Sequence, residues 1–241
     1  MSKPLEIITD LKNSFQIFKK DIRLETRQKF EFMSMVIFSI SAVLIFAISL
    51  DLSAATSGTN ALVQARVISA SLWVIFVFAG MLSFTSVFGR ELKSGGGGLT
   101  AIRSFPVKPQ AIFFGKLLFN LTILFSVQFI ILALYVLFFN LTFKFGLDVI
   151  VFILLIGTLD YACIGTLVSA LALYSRAKTL VMPIVIFPLI IPSVMLSVNL
   201  LISLITGVWD QGTTNNLALL FLHFVIILMI SFLTIETILQ D

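Results

Sequence analysis

Marking the charged residues divides the chain into stretches that can and cannot cross a bilayer, because a spanning helix needs roughly 20 predominantly apolar residues. Uncharged runs cover Phe32–Leu50, Val67–Gly89, Leu117–Phe143, Thr179–Trp209 and Gln211–Ile235, and another, Val149–Ser175, is interrupted only by Asp160. The pattern predicts one membrane domain, 1–241, with six spans at about 32–50, 67–89, 117–143, 149–175, 179–197 and 217–235. The run Thr179–Trp209 is 31 residues, about 46 Å as a helix against a hydrocarbon core near 30 Å. Pro183, Pro188 and Pro192 interrupt its hydrogen-bond ladder, so a kinked span ending near Ser197 is expected, then a re-entrant or periplasmic segment at about 198–216.

Ahead of the first span, Leu5, Ile8, Leu11, Phe15, Phe18 and Ile22 recur every three or four residues, with Lys12, Lys19, Lys20 and Arg23 available for the other face. Residues 5–30 are therefore expected to form an amphipathic helix lying in the interface, its apolar side in the acyl boundary and its basic side on anionic headgroups. About thirty residues before an apolar run longer than a signal h-region favour an uncleaved first span over a secretory signal.

Composition agrees with lipid as the solvent. The chain is 59% hydrophobic and 12% charged with mean hydropathy +1.12, where soluble domains average about 45–50% and 25%. Twenty-five Phe residues oppose disorder, and the single cysteine, Cys163, forms no internal disulfide. The net charge of +4 matters less than its placement. Lys3, Lys12, Lys19, Lys20, Arg23, Arg27, Lys29, Arg90, Lys93, Arg103, Lys108, Lys116, Arg176 and Lys178 fall on one side of a six-span chain, and only Arg66 and Lys144 on the other. Basic residues near span ends are retained in the cytoplasm, which puts both termini there.

The loop 90–116 contains four consecutive glycines, Gly95–Gly98, but Leu99 and Thr100 follow where a phosphate-binding loop needs Lys and then Ser or Thr. Leu99, Ile102 and Phe105 could instead form one face of a short helix, stopped by Pro106, that docks a soluble partner. Inside the spans, Asp160 is a costly charge with few obvious partners, read either as a neutralised or hydrogen-bonded packing group or as part of a substrate path. Small residues around it, Gly157, Ala162, Cys163, Gly165, Thr166, Ser169 and Ala170, allow close helix packing, and Cys163 reads as inert. His223, the one histidine, has no second His, Cys or carboxylate on its own stretch and reads as a structural group, not a metal or haem ligand. No H-E-x-x-H, no G-x-S-x-G and no membrane carboxylate pair is present, so no catalytic, cofactor or metal residues are assigned. The paired broken helices that mark secondary transporters are missing too.

The basic N-terminal helix, the six spans, the loop F-G-R-E-L-K-S-G…L…F-P-V-K-P-Q-A-I-F-F-G-K (Phe88–Lys116) and the run I-G-T-L…G-T-L-V-S-A-L-A-L-Y-S-R-A-K…L-V-M-P-I-V-I-F-P-L-I-I-P (Ile156–Pro192) together resemble the CcmB family, the membrane subunits of the haem-exporter ABC complex of cytochrome c maturation. The four-glycine run is wider than the one or two glycines associated with that loop. The resemblance implies an all-α integral membrane fold like that of type-two ABC exporter permeases, in the bacterial inner membrane. It implies a separate ATPase subunit, haem-handling membrane partners and a second copy of the chain, with no nucleic acid and no bound cofactor. Arg90, Glu91, Lys93 and Arg103 would then form the ATPase-coupling loop, and the segment after Pro192 a periplasmic hairpin. The cargo would be haem, or the ATP-driven step would release a haem-loaded chaperone. An exporter permease for a lipid, polysaccharide or drug shares the same spans and loop.

Overall fold

The computed structural model of the chain describes residues 3–49, 61–87, 107–172 and 178–240. Seven helices account for nearly all of them: α1 Lys3–Gln28, α2 Phe30–Ser49, α3 Ala61–Val87, α4 Pro109–Phe139, α5 Leu147–Leu171, α6 Lys178–Thr206 and α7 Gln211–Gln240. In hydrocarbon every backbone N–H and C=O must find a partner within its own segment, so long apolar runs become helices. Six of the seven, α2 to α7, are long and apolar enough to cross a membrane, and no strand occurs among the described residues. The fold is an all-α integral membrane bundle.

The centre is α3 and α5. Two thirds of the α3 span (67%) is buried, against 17% of α2. Along α5 every residue from Asp160 to Ala170 is buried. Glycine makes this possible: the Phe84 ring occupies the place of a Gly165 side chain, with a Cβ there lying 2.0 Å from the ring, and Trp73 approaches Gly157 in the same way at 2.4 Å. The small-residue run of α5 thus admits two aromatic rings of α3.

Helix ends depart from the charge-free stretches. α4 begins at Pro109, with proline at its first turn, and carries Lys116 inside it; α3 begins at Ala61 and carries an exposed Arg66. Backbone pairing continues past the first charged residue because these side chains find partners or reach the surface. Eight residues of the expected loop 90–116 are thereby helical, and residues 88–106 lie outside the described part.

The largest departure is α6. It runs unbroken through Pro183, Pro188 and Pro192 to Thr206, well past Ser197 where a kinked span was expected to stop. Each proline deletes one ladder bond, and at spacings of five and four residues the intact bonds between them carry the helix on. The interval 198–216 is therefore the end of α6, a four-residue turn 207–210, and the start of α7. Gly207 (φ +78°) closes α6, its N–H donating to Ser203 O at 2.9 Å. Asp210 caps α7: the backbone N–H and hydroxyl of Thr213 both donate to Oδ1, at 2.7 and 2.8 Å. Those bonds favour the ionised form and hold the Asp210 carboxyl below its ordinary value.

Candidate functional site

Most polar side chains inside the bundle are consumed by packing. Asn120 of α4 donates to Thr166 Oγ1 (3.1 Å) and Ala162 O (3.3 Å) of α5 and accepts from Ser83 of α3 at 3.3 Å. Tyr161 donates to Val77 O, and Tyr135 to Ser71 Oγ at 2.9 Å. These bonds pin α3, α4 and α5 together, as interhelical polar contacts do where no water competes.

Asp160 points away from that core, toward α7. Its carboxylate is fully buried, and His223 Nδ1 lies 3.1 Å from Oδ1 and 3.0 Å from Oδ2. With the carboxylate as acceptor, Nδ1 is the nitrogen assigned the donating proton, and Nε2 is the nitrogen left over. The imidazole keeps 19% of its surface while Asp160 keeps none. That surface walls an open cleft of about 460 Å³ between α6 and α7, lined by Pro192, Met195, Asn199, Leu222 and Ile226 among others. Met195, Leu222 and Ile226 are exposed, so the cleft opens on the bundle's outer side.

A second polar seam joins α1 to α4. Ser14 Oγ donates to Ala111 O at 2.9 Å, Lys108 Nζ lies 3.0 Å from Asp10 Oδ2, and Lys116 Nζ lies 3.1 Å from Asp21 Oδ2. Lys116 and Asp21 are both buried. Gly115 lets the helices touch, since a Cβ there would lie 2.7 Å from Ser14 O. The face of α1 that meets protein combines these polar contacts with Ile17, Phe18 and Ile22, which pack against the core, while Leu11 and Phe15 stand exposed. At the corner into α2, the Glu25 carboxylate accepts the Phe32 N–H at 3.1 Å, an anion at a helix N-terminus.

Of the residues singled out from sequence, Asp160 is placed and acquires a partner, whereas Arg90, Glu91, Lys93 and Arg103 lie outside the described residues. Among the described residues no group of three His, Cys, Asp or Glu could hold a metal ion. Cys163 is buried, with Ser231 Oγ at 3.7 Å. The Asp160–His223 pair escaped the sequence reading because each residue was weighed on its own span. A depth signal was available: α5 and α7 run in the same direction, and Asp160 and His223 lie 13 and 12 residues from the starts of their helices, or roughly 20 and 18 Å along them.

Comparison with known proteins returns one family. The family model described as CcmB protein matches residues 12–239, which takes in all six spanning helices. No protein of curated function matches the chain.

Proposed function

Since the chain belongs to the CcmB family, the membrane permease component of the haem-exporter ABC system in cytochrome c maturation, we propose that it works as the permease subunit driven by a separate ATPase. It exports haem, or it turns ATP hydrolysis into release of a haem-loaded chaperone. The observation that carries this reading is the match across residues 12–239, covering the whole six-span bundle. Both termini face the cytoplasm of the bacterial inner membrane, haem-handling membrane proteins and a second copy of the chain are its other partners, and α1 lies along the interface with Leu11 and Phe15 in lipid.

Arg90, Glu91, Lys93 and Arg103 form the coupling loop that receives the ATPase. The α1–α4 seam supports the assignment mechanically. The loop leads straight into α4, and the ion pairs of Lys108 with Asp10 and Lys116 with Asp21 bind the first turns of α4 to α1. A push on the loop therefore moves both helices together. Co-purification with the soluble ATPase tests the assignment: Glu91→Lys should weaken association and lower covalent c-type cytochrome seen by haem staining. Unchanged assembly and unchanged ATP-driven maturation in that variant would count against it.

A further inference from the structure

Two outward-opening clefts among the described residues differ in chemistry. The smaller, about 190 Å³ between α3 and α6, is walled by Val74, Phe78, Phe187, Ile191 and other apolar side chains, and an acyl chain suffices to cover it. The larger, between α6 and α7, has the same apolar character broken by Asn199 and by an imidazole braced from behind by a buried carboxylate.

Keeping such a pair in hydrocarbon is costly unless it has a use, and what it can hold follows from its donors. An anionic headgroup would need a Lys or Arg, and none lines the cleft. A bare divalent or trivalent ion would need three or four ligands, and one nitrogen beside one carboxamide does not supply them. A metal already chelated inside an apolar ring needs a single axial donor and apolar walls. The cleft provides both, and about 460 Å³ is within the range of roughly 300–1,000 Å³ that such ligand sites occupy. Asp160 completes the arrangement. A histidine that ligates a metal through one nitrogen commonly gives its other N–H to a carboxylate, which fixes the tautomer, orients the ring and makes the free nitrogen more basic.

We propose that the α6–α7 cleft is a cargo site for a metalloporphyrin, entered from the lipid, with His223 Nε2 as the axial ligand to iron and Asp160 as the positioning residue behind it. This rests on the permease reading above and takes haem, not only a chaperone, to be handled by this chain. The bond is dative: Nε2 gives its lone pair, the ring proton stays on Nδ1 beside Asp160, and the iron keeps its oxidation state.

The test titrates the full chain in lipid nanodiscs with iron protoporphyrin IX and with the metal-free ring, following the Soret band. Wild type should bind the iron ring with an imidazole-ligand spectrum. His223→Ala should abolish that spectrum and weaken binding at least tenfold while leaving the metal-free ring unaffected. Asp160→Asn should weaken iron-ring binding by about 10- to 100-fold. His223→Gly should recover the spectrum when free imidazole is added, a rescue that a purely structural histidine would not show and that controls for misfolding. Leu222→Trp, which fills the cleft, should weaken both rings. A wild-type spectrum and affinity in His223→Ala, or equal weakening of both rings in it, overturns the proposal. So does a chain that binds its ATPase and supports cytochrome maturation but takes up no iron ring, a result that leaves the permease reading standing in its chaperone-release form. Iron-ring binding through His223 without any ATPase association supports the cleft and defeats the permease reading instead.

Discussion

Two of the buried carboxylates, Asp21 and Asp160, each face a nitrogen base on another helix, and they are built to opposite ends. Asp21 and Lys116 lock α1 to α4 with both side chains closed off, 5% and 3% exposed. Asp160 and His223 join α5 to α7 with the acid fully enclosed and the base 19% exposed to a cleft. An ammonium spends its donors on whatever surrounds it, while an imidazole held at Nδ1 has a second nitrogen to offer. The first pair is a fastening. The second is a fastening that also presents a reactive atom.

The sharpest way to break the comparison is to cut the closed pair. Lys116→Ala leaves Asp21 with only the half-exposed Lys20 beside it, Nζ at 3.2 Å, and should cost about 3 kcal/mol, read from unfolding in detergent, whereas Lys116→Met with Asp21→Leu should recover most of that loss. If the single variant melts like wild type, the α1–α4 seam is not a fastening. Next comes the contrast between closed core and open cleft. Gly165→Ala drives a methyl into Phe84 and should destabilise by about 1–3 kcal/mol, while Leu219→Phe on the cleft rim should stay within about 0.5 kcal/mol. Equal effects would mean the cleft is as tightly packed as the core. A smaller loss, about 1 kcal/mol, is expected for Asp160→Asn, which keeps an oxygen for the Nδ1–H of His223; a loss as large as that of Lys116→Ala would make the two pairs equivalent.

The smallest effect is at the turn before α7. Asp210→Ala should lower the melting temperature slightly at neutral pH. Because the folded Asp210 carboxyl sits below its ordinary value of 3.8, its contribution is complete above that value and is lost as pH falls through the lowered one. The difference between wild type and variant should therefore close in acid, and a difference that widened there would remove the cap from the account.

Much of the fold was legible in the sequence, and particular residues show why the rest was not. The apolar runs predicted six spans, and six helices long enough to span are present. The small residues of α5 predicted close packing, and Gly157 and Gly165 receive Trp73 and Phe84. The ends of α4 and α6 were misplaced for one reason: Lys116 and the three prolines were read as local stop signals, and each is tolerated through something the local sequence does not display. For Lys116 that is Asp21, 95 positions away along the chain; for the prolines it is the medium, where unwinding would strand more backbone groups than the prolines do. In the candidate site, Asp160 was visible as a costly charge and His223 as a lone histidine, and their meeting was not.

What the sequence determined by itself is the inventory of the membrane domain: the number of spans and the basic asymmetry of the loops. Each follows from a segment's own exchange with lipid, since a spanning helix satisfies its backbone alone. Only the tertiary structure decided which polar groups inside the bilayer meet, because that depends on helix rotation and on packing between α5 and α7. Asp160 becomes a support for His223 through a separation of 3.0 Å between residues 63 apart in sequence, which no single span encodes.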